Sequence, residues 1–169
     1  DSAGMAVVNG DKIQITKAVG RLKVLEELTH GGATMPGTVG IGHTRWATHG
    51  APSDVNSHPH YNAEETIAVV HNGIIENYQE LIKEYLGSIK LNSETDTEVL
   101  AKLLNENYSG NPFEAIADTL SVVKGSYALG IIFHDIPDRI YAVRKDSPLI
   151  VGVGEDENFI ASDVPAILK

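Results

Sequence analysis

A chain of 169 residues, 42% hydrophobic and 21% charged, is long enough for one apolar core and too hydrophobic for a disordered segment. Asp and Glu total 23 against 13 Lys and Arg, a formal net charge of -10, so no basic stripe is available to neutralise nucleic-acid phosphates. Cysteine is absent, which excludes disulfides, thiolate metal sites and a thiol nucleophile on these residues.

Asp1-Ser2-Ala3-Gly4 carries no signal-peptide pattern, and the longest apolar run, around Tyr127 to Phe133, is far too short to span a bilayer. These features predict a cytoplasmic protein with no membrane partner. The chain has no initiator Met, and Ser162 to Lys169 read as a helix that has just been capped and begun, so it reads as a fragment of something longer.

Met5 to Val8 and Lys12 to Thr16 flank Asn9-Gly10, which predicts a hairpin with one buried face. Leu22, Leu25 and Leu28 recur at helical spacing before Gly31-Gly32, and Thr38 to Thr44 reads as a strand thinned by glycines. From Arg45 to Tyr61 the chain turns polar and irregular, a loop long enough inside one domain to suggest function.

Ile67 to Val70 predicts a short buried strand ending in His71-Asn72-Gly73. An amphipathic helix follows through Tyr78, Leu81, Ile82, Tyr85 and Leu86, with Asn77 and Glu80 as its capping box and Gly87 as its stop. Helices are also predicted from Thr95, with Glu98 three residues on, and from Asn111, with Pro112 in the first turn. Tyr127 to Phe133, Arg139 to Arg144, Leu149 to Val153 and Phe159 to Ala161 are strands joined by turns too short for parallel crossovers, an antiparallel meander. Strands at both ends with helices between them predict an α+β fold.

Three polar segments sit at element ends: His43 to Gly50, His71 to Gly73, and Ser93 to Asp96. Arg45 offers a planar fork for a carboxylate and Asp96 an anion for an ammonium, the pair a free amino acid requires. Asn72-Gly73 reads either as an oxyanion hole, built from an amide side chain and a backbone N–H, or as a common turn dipeptide. Trp46 either covers a site or anchors its loop. His43, His49, His58, His60 and His71 raise the question of a metal, but no Cys and no helical His-x-x-x-His pair supports one, so neither metal nor cofactor is expected.

Asp1 to Val8, Gly42-His43-Thr44-Arg45-Trp46-Ala47-Thr48-His49-Gly50, His58-Pro59-His60, Val69 to Asn77, Ser93 to Glu98, Ser147-Pro148-Leu149 and Phe159 to Asp163 together resemble the glutaminase half of the glucosamine-6-phosphate synthases. The resemblance spans nearly the whole chain, and Arg-Trp-Ala-Thr-His-Gly sets it apart from related glutaminases such as amidophosphoribosyltransferase.

The resemblance implies a four-layer αββα sandwich of the N-terminal-nucleophile hydrolase type, with two mainly antiparallel sheets, incomplete at both ends. It also implies a partial glutaminase domain over residues 1–169, without the sugar-isomerase domains that would be its partners in a longer, homo-oligomeric chain. By resemblance Arg45 binds the glutamine α-carboxylate, Asp96 binds the α-ammonium, Thr48 and His49 line the pocket, Trp46 gates ammonia, and Asn72 with Gly73 forms the oxyanion hole. The family's mature chain begins with a cysteine that forms a thioester with glutamine and releases ammonia for fructose 6-phosphate. The expectation is that the intact protein does this, the alternative being a catalytically dead glutamine- or glutamate-binding fragment.

Overall fold

The computed structural model describes residues 1–46 and 50–168. β1 (Ser2–Asn9) and β2 (Lys12–Val19) form the hairpin around Asn9-Gly10; β1 extends past the predicted strand at both ends, and β2 starts at Lys12 as predicted and runs three residues further. β3 (Gly40–Arg45) pairs antiparallel with the other edge of β1, from Ser2 opposite Arg45 to Val7 opposite Gly40, which gives the order β2-β1-β3. A second sheet holds β4 (His60–Tyr61), β5 (Ile67–Ile75), β6 (Gly125–Phe133) and β7 (Tyr141–Lys145) in that order, all antiparallel.

Three apolar clusters fill the spaces between layers. Ala3, Ala18 and Leu25 pack α1 (Leu22–Leu28) on the outer face of the three-stranded sheet. Ala6, Val8, Ile13 and Ile41 meet Ala68 and Ile132 between the two sheets. The far face of the second sheet, through Ile67, Val69, Ile75, Leu129, Ile131 and Phe133, packs on α3 (Asp96–Asn107) and α4 (Pro112–Val122) through Val99, Leu100, Leu103, Leu104 and Ile116. Strand alternation explains the division, since odd residues of β5 face the helices and even ones the other sheet. The result is the expected α+β arrangement of two antiparallel sheets flanked by helices.

Local chemistry departs from expectation in three places. The predicted short strand continues through His71-Asn72-Gly73 to Ile75, all of it paired with β6. Asn77 does not cap the next helix, which runs as α2 (Tyr78–Leu81) and then a π-helical turn (Ile82–Leu86). Instead its amide donates to the Val122 carbonyl (2.9 Å) and accepts from the Lys124 N–H (2.8 Å), tying the start of α2 to the end of α4.

The predicted meander is also interrupted. β8 (Ile150–Val153) and β9 (Asn158–Ala161) form a hairpin that, among the described residues, pairs only with itself. Asp146 takes φ +61 and bridges to Tyr127, and Pro148 then offers no N–H, so the chain leaves β7 instead of folding back along its edge.

Candidate functional site

The end of β3, the second half of β5 and the first turn of α3 meet at one end of the two sheets. Within β5 the backbone N–H groups of alternate residues point to the same edge. The His71 N–H donates to His58 Nδ1 (3.4 Å) and the Ile75 N–H to Asp96 Oδ2 (2.8 Å), both on the edge away from β6. The Gly73 N–H therefore projects from that edge between His58 and Asp96. β4 reaches only Ala68 and Val69, so no strand of the described structure covers this stretch. Asn72-Gly73 is thus part of a strand rather than a turn.

The start of α3 is held by a buried carboxylate. Glu98 accepts from the N–H groups of Asn92 and Ser93 and from the Ser93 hydroxyl (2.6 Å), while Thr95 caps the helix by accepting from the Glu98 N–H. That fixes Asp96 as the first helical residue, with Oδ2 on the Ile75 N–H. Asn56 bridges the long loop to this turn, donating to the Ala51 carbonyl (2.9 Å) and accepting from the Glu94 N–H (3.0 Å). Lys17, on β2, donates to the Val55 and Pro59 carbonyls from the other side, and burial pulls its ammonium down to about 8.

Arg45 is buried at the end of β3, donating from Nη2 to the Gly50 carbonyl (3.3 Å). Burial lowers its pKa, and the Asp96 carboxylate opposes that shift, so the two charges lie within electrostatic reach. His43, on the same face of β3, contacts Asn72 across the gap between the sheets at 2.6 Å from Nε2 to Oδ1.

The His43 ring stacks on His58 with centroids 4.3 Å apart, and His58 lies 5.0 Å from His60 and 6.5 Å from His71. Burial pushes His58 and His60 well below the ordinary histidine range. The neighbouring His43 adds to the effect at His58, and Lys17 adds to it at His60. Burial also lowers His43 and His71, with Asp96 acting in the opposite direction on His71.

A cleft of roughly 610 Å³ opens between the sheets and the β8–β9 hairpin, and its described walls include Gly42, His43 and Asn72 but not Arg45, Gly73 or Asp96. Trp46 is 81% exposed at the end of β3, while Thr48 and His49 lie outside the described residues. The structure thus brings Arg45, Asn72, Gly73 and Asp96 into one region. It adds His43 and His58, whose partners in distant elements left no pattern in the sequence.

Among the described residues no group of three or more His, Cys, Asp or Glu could hold a metal ion, and no helix is long and apolar enough to cross a membrane. The thioester expectation is corrected by composition: the 169 residues contain no cysteine, so this chain has no thiol on which a thioester could form.

The model of a glutamine amidotransferase domain matches residues 43–169. The chain is 56% identical to a protein of Clostridium acetobutylicum and 58% identical to one of Caldanaerobacter subterraneus subsp. tengcongensis, each over 171 residues. Both are named glutamine–fructose-6-phosphate aminotransferase (isomerizing). Each match covers 100% of this chain and 28% of the relative, so the chain spans less than a third of their length. Among solved structures, glutamine phosphoribosylpyrophosphate amidotransferase from B. subtilis, complexed with ADP and GMP, aligns with a TM-score of 0.77 at 28% identity. That alignment covers 95% of this chain and 35% of that one.

Proposed function

The chain belongs to the glutamine amidotransferase domain family, and from that premise we propose that its residues form a glutamine-binding module with no nucleophile of its own. Arg45 takes the α-carboxylate of the ligand and Asp96 the α-ammonium, while the Asn72 side-chain amide and the Gly73 N–H take the side-chain oxygen. The sequence resemblance adds Trp46, Thr48 and His49 to the residues that bind the ligand. The observation that carries this reading is the placement of Asp96. Its carboxylate is anchored beside Gly73 on the open edge of β5 and lies within electrostatic reach of Arg45.

The length of the relatives supports a second part of the proposal, that the module works beside further domains of a longer chain; the sequence resemblance makes these sugar-isomerase domains, in a cytoplasmic homo-oligomer.

Calorimetry and thermal unfolding of this chain with L-glutamine test the reading. Binding at a hundredfold excess over Kd adds about 2.7 kcal/mol to stability and raises the melting temperature accordingly. Asp96→Asn keeps an oxygen for the Ile75 N–H but removes the charge, so affinity falls at least about tenfold while the ligand-free protein stays folded. No heat and no thermal shift with either glutamine or glutamate overturns the proposal, as does an Asp96→Asn variant that binds glutamine as tightly as the parent.

A further inference from the structure

The two ends of an asparagine amide have nearly the same shape but opposite hydrogen-bonding character, so an oxyanion donor built from Asn72 needs something to fix which end meets the ligand. Asn72 lines the cleft, and its Oδ1 lies 2.6 Å from His43 Nε2. A carbonyl oxygen only accepts, so His43 donates. With the proton on Nε2, turning the amide over would set its NH2 group against the imidazole N–H, with two donors facing and no acceptor between them; the reversed amide requires the Nδ1–H tautomer instead.

His43 is in turn held by its neighbours. Its ring stacks on His58, 4.3 Å between centroids and 25° between planes. The protonation of His58 is set by the backbone: its Nδ1 accepts the His71 N–H, which leaves Nε2–H to face Thr97 Oγ1 at 3.3 Å. The Thr97 hydroxyl is then free to donate to His71 Nδ1 at 2.9 Å, closer than its contact with Asp96 Oδ1 at 3.4 Å. Contacts thus run from Thr97 on α3 by hydrogen bond to His58, by ring stacking to His43, and by hydrogen bond to the Asn72 side chain.

We infer that His43 is a positioning residue: it locks the Asn72 amide with Nδ2 available to the cleft, and stacking on His58 holds its ring in place. The inference rests on the glutamine-site reading for the identity of the ligand, and on the contacts above for the orientation of the amide.

His43→Phe keeps an aromatic ring for His58 and removes the donor. L-Glutamine and L-norvaline share the α-carboxylate and α-ammonium, and only glutamine has a side-chain oxygen for Asn72. The variant is expected to bind glutamine about tenfold more weakly and norvaline as the parent does, and to have no further effect in an Asn72→Ala background. Equal weakening of both ligands, or of neither, overturns the inference.

A ligand-free measurement separates this from the parent reading. Imidazole 15N NMR of the unsubstituted protein should find a proton on His43 Nε2, and the Asn72 side-chain NH2 should become more mobile in His43→Phe. Should the protein bind neither ligand, the glutamine-site reading fails and the NMR result alone decides the inference. A His43 ring protonated only at Nδ1 overturns it even if the variant cannot be made.

Discussion

At Gly73 the backbone takes φ +134, and a Cβ added there would collide with the Ser126 carbonyl oxygen and lie 2.9 Å from Tyr127 Cα on the neighbouring strand. Both obstacles are backbone atoms of a paired strand and cannot swing aside. Glycine is thus required here by the packing of β5 on β6, whatever binds at its N–H. Gly73→Ala should destabilise the protein by about 2–4 kcal/mol, read as a lowered midpoint in urea unfolding. A change under about 0.5 kcal/mol would mean that β5 can shift away from Ser126 without loss. The residue types at the site were legible in the sequence because carboxylate and ammonium recognition call for particular side chains, which Arg45 and Asp96 supply. His58 was not legible, because its meaning lies in contacts with His43, His71 and Thr97 from three separate elements.

β5 shows why element boundaries were harder to read than elements. Asn-Gly is a strong turn signal when it stands between two strands, and the sequence alone does not show that Lys124 and Gly125 lie opposite the following residues to extend the ladder. The helix starts at Thr95 and Asn111 were legible because each cap is a local bond to an N–H two or three residues on. Asn77 has the same local pattern, but its amide is engaged 45 and 47 residues away, by Val122 and Lys124. It therefore joins two helices instead of beginning one. Asn77→Ala leaves the Lys124 N–H and the Val122 carbonyl without their partner, at a cost of about 1–3 kcal/mol, measurable by denaturant unfolding. A true helix cap would be largely replaced by Asn77→Ser. The long-range role predicts that serine, too short to reach both groups, rescues little.

The four-layer arrangement places four histidines from β3, the long loop, β4 and β5 in one buried group, and that gives the whole molecule a pH dependence. His58 faces His43, His60, His71 and Arg45, and His60 faces Lys17 and Arg45, so any proton added there meets cations and buried surroundings. Folding thus depresses the affinity of these rings for protons below that of the unfolded chain, where histidine titrates near about 6.5. As the pH falls below that value, the unfolded chain takes up protons that the folded protein refuses, and stability declines until the folded-state values are passed. Above about pH 7 both forms are neutral at these positions and the contribution is fully present. Melting temperatures measured between pH 7.5 and pH 5 should therefore fall with acidification in a window above that of most carboxylates. His58→Gln removes the ring that neighbours the other three and should make the decline shallower even where it lowers stability at neutral pH. A slope unchanged by that substitution would show that the acid response comes from groups outside the histidine cluster.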